Sequence, residues 1–179
     1  MMTRFCILVA LAGFLTTAPS GNGEELQPAP LRTWKAPDGH AAVLWERIGP
    51  ADGPTEQFAL TLVRPQQAPV RLEEFWRDVD LAWSDDSKYI VFTDFIGSNF
   101  ADCYVVDAMK PDNRIDVADL LPNLPEATEA HEYVTCDGWR GAGNIAVRAS
   151  GHTDSEPSHD FDYHFVFSIP EGRLSATNE

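Results

Sequence analysis

Val79-Asp80-Leu81-Ala82-Trp83-Ser84-Asp85-Asp86-Ser87-Lys88-Tyr89-Ile90-Val91-Phe92-Thr93 is the stretch on which the fold class turns. Two short runs rich in β-branched and aromatic residues flank the polar segment Ser84 to Lys88, whose Ser and Asp side chains bond nearby backbone amides and favour a turn. After a loop around Gly97-Ser98-Asn99 a third run follows, Cys103-Tyr104-Val105-Val106-Asp107. The pattern predicts three successive antiparallel strands.

The same rhythm extends both ways. Upstream, Ala41 to Arg47, the turn-rich Gly49 to Pro54 and Phe58 to Val63 predict a hairpin. Downstream come Tyr133 to Asp137, Ile145 to Arg148 and Phe161 to Phe167. In that last run Phe161, Tyr163, Phe165 and Phe167 alternate, which gives one strand face an apolar wall. Helical signals are minor: Leu72 to Trp76 and Pro125 to Glu132 are expected to form at most one or two turns each.

Three segments align on a tryptophan: Trp34-Lys35-Ala36-Pro37-Asp38-Gly39, Trp83-Ser84-Asp85-Asp86-Ser87-Lys88 and Trp139-Arg140-Gly141-Ala142-Gly143-Asn144. Each reads as tryptophan, tight turn, strand, loop, strand, at spacings of 49 and 56 residues, near the period of propeller blades. The central copy, Leu81 to Phe92 with Tyr104-Val105-Val106-Asp107 downstream, resembles the blade repeat of β-propellers in the translocation protein TolB and similar periplasmic proteins. There a Trp-Ser-Pro-Asp-Gly-Lys turn precedes an apolar strand. The match covers about 30 residues; the central copy lacks that Pro and Gly, the first keeps Pro37-Asp38-Gly39, and the third departs at most positions. The resemblance implies a periplasmic scaffold that binds proteins or peptides without catalysis. Propellers close with four to eight blades and this chain has room for about three. The expected fold is therefore all-β, with antiparallel strands in three Trp-anchored repeats that form a partial propeller-like stack or a β-sandwich.

Composition bounds the partners. Of 179 residues, 28 are acidic and 13 basic, giving a formal charge of −15, while 44% are hydrophobic. Such a chain builds a core and is repelled by polyanions, so no nucleic-acid partner is expected. Arg4 precedes the apolar run Phe5 to Leu15, and small residues follow, which is the layout of a cleaved secretory signal. Cleavage after Ser20 fits the Ala18-Pro19-Ser20 pattern, with a site nearer Gly23 as the alternative. The expected organisation is a signal peptide over 1–20, a flexible leader over 21–30 and a single domain over 31–179. No membrane span is expected after cleavage, and the destination is secreted or periplasmic. Cys6 leaves with the signal, so the mature chain holds Cys103 and Cys136. An even pair in an oxidising compartment invites a disulfide closing a loop of about 33 residues. Two buried thiols that never meet are the alternative.

Potential ligands are densest between His152 and His164. Asp160, Asp162 and His164 alternate and would share one strand face, with His152, Asp154 and His159 in reach from the preceding loop. Such nitrogen and carboxylate donors suit a divalent cation of the zinc type; a solvated polar face is the plainer reading, and no His-Glu-x-x-His signature is present. Nor does the sequence contain a Gly-x-Ser-x-Gly elbow or a phosphate-cradling loop. Ser98 with His131, or Asp85 with Asp102, are combinations that 28 acids produce by chance. Trp34, Trp83 and Trp139 read as core, whereas Phe75 and Trp76, in a Glu- and Arg-rich segment, read as an exposed aromatic pair for a partner. The resulting expectation is a non-catalytic exported scaffold or protein-interaction domain of the cell envelope, with a protein or peptide partner and no cofactor. The alternative is a divalent-metal-binding protein or metal-dependent hydrolase built on the His152 to His164 cluster.

Overall fold

A computed structural model describes residues 30–49, 56–124, 130–153 and 156–177. Among these residues twelve strands are arranged as three consecutive four-stranded meanders. The first comprises β1 (Arg32–Lys35), β2 (Ala42–Arg47), β3 (Phe58–Val63) and β4 (Val70–Phe75), paired in chain order. The second comprises β5 (Val79–Trp83), β6 (Tyr89–Asp94), β7 (Phe100–Asp107) and β8 (Lys110–Asp116), and the third β9 (Ala130–Trp139), β10 (Asn144–Thr153), β11 (Asp160–Ser168) and β12 (Arg173–Ala176). Within each meander the pairing is antiparallel. A short parallel contact, Phe100 with Glu132 and Ala101 with Tyr133, joins β9 to β7. The fold is thus all-β, and no barrel or propeller closes among the described residues. A 3-10 turn spans Ala118–Leu120.

Alternation along β6 and β7 explains the stacking. Ile90, Phe92, Tyr104 and Val106 point to one face and pack with Val43, Phe58, Leu60, Leu62 and Phe75 of the first meander. Val91, Cys103 and Val105 point to the other and pack with Val134, Ile145, Val147, Phe165 and Phe167 of the third. The second meander is therefore covered on both sides, which is why its strands read as near-continuous apolar runs. Each fully buried Phe, Leu or Ile contributes roughly 1.5–3 kcal/mol to this arrangement. Asp160 to Ser168 forms the predicted aromatic wall, with Phe161, Phe165 and Phe167 buried against the core.

The repeat is carried by turn chemistry more than by tryptophan position. In the β1–β2 turn Gly39 N–H donates to Ala36 O (2.9 Å) and His40 N–H to Asp38 Oδ1 (2.8 Å). In the β5–β6 turn Ser87 N–H donates to Ser84 O (2.9 Å) and Lys88 N–H to Asp86 Oδ1 (3.2 Å). Gly39 and Ser87 both take positive φ, at 73° and 60°. This equivalence places Lys35, not Trp34, where Trp83 stands. Trp34 is shifted by one residue and so packs on the opposite face of its own sheet, toward the second meander. Trp83 and Trp139 each face the preceding meander. The two turns also touch: Asp38 N–H donates to Ser87 Oγ (3.0 Å), and Trp83 Nε1–H donates to Trp34 O (3.1 Å).

Two expectations change. The segment Leu72 to Trp76 is not helical: Val70–Phe75 is the strand β4, because Leu72 and Phe75 find partners in the interlayer core. Residues 130–132 of the other expected helical turn belong to β9, and 125–129 lie outside the described residues, as does the expected signal segment. Strands β1, β4, β8 and β12 had no clear periodic signal; β8 even contains Pro111, tolerated because β8 pairs on one side only, with β7. No helix among the described residues is long and apolar enough to cross a membrane.

Candidate functional site

Cys103 and Cys136 are joined by a disulfide, with Cα atoms 5.2 Å apart. It ties β7 to β9 at the point where β9 leaves the parallel contact and crosses the face of β6. There Cys136 N–H donates to Thr93 Oγ1 (2.9 Å). This pairing chooses the disulfide over two separate thiols, and its role is to fix the third meander on the second.

The His/Asp cluster lies on the outer face of the third meander. His152 sits opposite Asp160 of β11 and His131 of β9, and the two imidazoles have ring centroids 4.3 Å apart. Asp162 and His164 share that face, as alternation requires, with His164 Nε2 3.4 Å from Asp162 Oδ1. Arg148 takes the Asp162 carboxylate in a fork, its Nε and Nη2 each 2.8 Å from an oxygen. That fork holds the Asp162 carboxyl below its ordinary range. His159 lies exposed in the β10–β11 connection, where its N–H donates to Thr153 Oγ1 (3.0 Å). Asp154 lies outside the described residues. Among the described residues no three His, Cys, Asp or Glu side chains are grouped so as to hold a metal ion.

The aromatic pair does not exist as expected. Phe75 is 1% exposed and packs between Trp45 and Phe58, while Trp76, the next residue, is 56% exposed. Consecutive residues at a strand end face opposite ways, so only one of the two reaches solvent. Ile96, on the β6–β7 connection, and Phe100, the first residue of β7, are likewise exposed, at 45% and 52%. That connection touches the β4–β5 connection through Phe95 N–H donating to Asp78 O (3.2 Å). Both connections belong to the same end of the stack.

An acidic cluster lies between the first and second meanders, toward that end. Asp94 and Asp102 are register partners on the face that carries Phe92 and Tyr104. Asp116 is the register partner of Tyr104, and Arg114 lies over the Tyr104 ring at 4.3 Å while pairing with Glu73 of β4. Asp94 is 6% exposed and its Oδ1 has no hydrogen-bond partner. Burial, followed by the charges of Glu73 and Asp102, pushes its carboxyl up to about 6, against a smaller opposing effect of Arg114. Burial also raises Asp102 and Asp116. No local pattern marks this cluster: the β6–β7 register brings Asp94 to Asp102, and the stacking of the first meander on the second brings Glu73 to Arg114.

Of the other catalytic combinations, Asp85 and Asp102 are held apart by the strand register. The Ser98 hydroxyl donates to Asn99 Oδ1 (2.8 Å). Asp85 lies in the β5–β6 turn, whereas Asp102 faces Asp94 at the opposite end of β6. No protein-family model and no curated protein matches the chain.

Proposed function

We propose that this chain is an exported, non-catalytic scaffold or protein-interaction domain of the cell envelope, blade-like in its repeats, whose partner is a protein or peptide. The observation that carries this reading is the exposure of Trp76, Ile96 and Phe100 at one end of the stack, on the adjoining β4–β5 and β6–β7 connections and the first residue of β7. Large, half-exposed apolar side chains concentrated at one end are the material of an interface core, and tryptophan is enriched among binding hot spots. The acids below them favour a partner with positive charge at its rim. The Cys103–Cys136 disulfide supports an oxidising compartment, consistent with the signal-like start of the chain.

The experiment is photo-crosslinking in the native cell envelope, with a photoreactive phenylalanine placed at position 76 and, as control, at the exposed Asp85. A single adduct at position 76 that disappears with Ile96→Ser/Phe100→Ser supports the reading. No adduct at position 76 beyond that at position 85 refutes it. Fractionation with N-terminal sequencing checks export: a mature start near Gly21 is expected, and an intact Met1 in the cytoplasm would refute that part.

A further inference from the structure

A cleft of about 510 Å3 lies between β5–β6 and β9–β10; Trp76, Ile96 and Phe100 are not among its lining residues, and Phe95 adjoins them. Its apolar part is formed by Ala82, Val91 and Phe95, and its polar part by Asp80, Asp137 and Arg148. A β-bulge shapes one wall: Val147 pairs with Cys136 and Ala146 with Gly138, so Asp137 is an extra residue with no ladder partner. Bulges of this kind re-aim a side chain and recur beside binding sites. Here the bulge returns Trp139 to the core and leaves the Asp137 carboxylate on the cleft, accepting the Thr135 hydroxyl (2.7 Å). Gly138 supplies the φ of +115° that the bulge needs, and its missing Cβ would face open space.

Asp80 stands on the other wall. Alternation in β5 turns it away from Val79 and Trp83, which pack toward the first meander, and its carboxylate makes no hydrogen bond or ion pair with any described residue. Arg148 also lines the cleft; Asp162 holds its guanidinium in a fork, and its charge bears more weakly on Asp137. The cleft therefore presents carboxylates on both sides of an apolar floor, on a chain of net charge −15. An aliphatic stem ending in a compact ammonium matches that layout, the stem lying on Ala82 and Phe95 and the head between Asp80 and Asp137. Beside the cleft, β5 is a terminal strand, paired among the described residues only with β6, so an extended segment can add its backbone there.

We infer that this cleft binds a lysine side chain presented by an extended segment of a partner protein. The inference rests on the protein-interaction reading and names the chemistry of the partner. The probes are the peptide acetyl-Thr-Val-Lys-Val-Thr-amide, its norleucine counterpart and 1,5-diaminopentane, each titrated into the isotope-labelled mature protein and followed by amide shifts. The lysine peptide is expected to shift Asp80, Val91 and Gly138 and to bind about tenfold more tightly than the norleucine peptide, the value of one charge-assisted hydrogen bond. Asp80→Asn and Asp137→Asn should each weaken it roughly fivefold without moving the melting temperature, and added salt should weaken it further. Equal binding of both peptides, shifts elsewhere on the surface, or diaminopentane binding as tightly as the peptide would overturn the inference. Trp76→Ser should leave the titration unchanged. Loss of the cleft titration with crosslinking at position 76 intact sinks the inference alone, and the reverse result sinks the interaction reading of the end patch alone.

Discussion

Asp94 of β6 stands directly opposite Asp102 of β7, on a face covered by the first meander, and Glu73 of β4 bears on the same spot. Because burial and like charge raise the Asp94 carboxyl to about 6, the folded protein holds its proton more tightly than the unfolded chain does. Between about pH 4, where an unfolded aspartate titrates, and pH 6, the native state binds more protons, so stability falls as pH rises through this window. Asp102 and Asp116, also raised by burial, act with the same sign. Asp86 and Asp162, held low by Lys88 and Arg148, act with the opposite sign but only below about pH 4. Urea midpoints at pH 4.5, 6 and 7.5 are expected to decline in that order. Asp94→Asn should remove most of the decline and gain on the order of 2 kcal/mol at pH 7.5. A midpoint that rises across the window would contradict this account.

Gly151 is required by a close approach. In β10 it pairs with Glu132 on one side and Phe161 on the other, and a Cβ there would overlap the His131 carbonyl and lie 2.7 Å from Phe161 Cζ. Backbone on one side and a buried ring on the other leave nothing flexible to yield. Gly151→Ala should cost at least about 3 kcal/mol, the range of overpacking in a tight core. Ser150→Ala, next to it on the outer face, should stay within about 0.5 kcal/mol. Chemical denaturation of the two variants separates them; equal stability would mean that β10 and β9 part easily at this point.

Much of this architecture is legible from the sequence wherever a strand is long and buried. Tyr89 to Thr93 and Phe161 to Phe167 announce themselves because apolar residues either run together or alternate. Val70 to Phe75 does not, because its charged residues Arg71, Glu73 and Glu74 mask the two inward positions, Leu72 and Phe75. Lys110 to Asp116 is concealed by Pro111 and by its edge position. The tryptophan alignment slipped by one residue in the first repeat because Trp34 and Trp83 both enter the same interlayer core from facing sheets. The cleft was out of reach for another reason: Asp80 and Asp137 are 57 residues apart in the chain and meet only through the stacking of β9 on β6. The Asp137-Gly138 pair was the one local hint, since such pairs mark turns and bulges.

The Cys103–Cys136 bond closes a loop spanning 33 residues, and for that length the restriction of the unfolded chain is worth about 3–4 kcal/mol. Cys103 is fully buried beside Val91 and Val105, so its replacement also disturbs the core between the second and third meanders. Cys103→Ala/Cys136→Ala should therefore lower the melting temperature by on the order of 10 °C. Reduction of the wild-type protein should produce a loss of similar size. If the double variant melted where the wild type does, the third meander would be held by its apolar contacts alone.

Arg148 decides what the outer face of the third meander can do. Its fork on Asp162 occupies the carboxylate that a cation would need from β11, while His152 packs against the tilted ring of His131 at a distance from His164 set by the strand register. A metal that binds only the folded state must raise its stability by mass action, so titration of the melting temperature reads occupancy directly. Zinc, calcium and EDTA are each expected to leave the wild-type midpoint within about 1 °C, the shift expected when ligand concentration stays below its dissociation constant. His152→Ala/His164→Ala should behave identically. Arg148→Ala supplies the sharper test, because it frees Asp162 beside His164 while leaving the histidines in place. If zinc then stabilises the variant but not the wild type, the arginine is what keeps this face from being a metal site; if zinc stabilises the wild type and the double histidine variant loses the effect, the metal-binding alternative is correct.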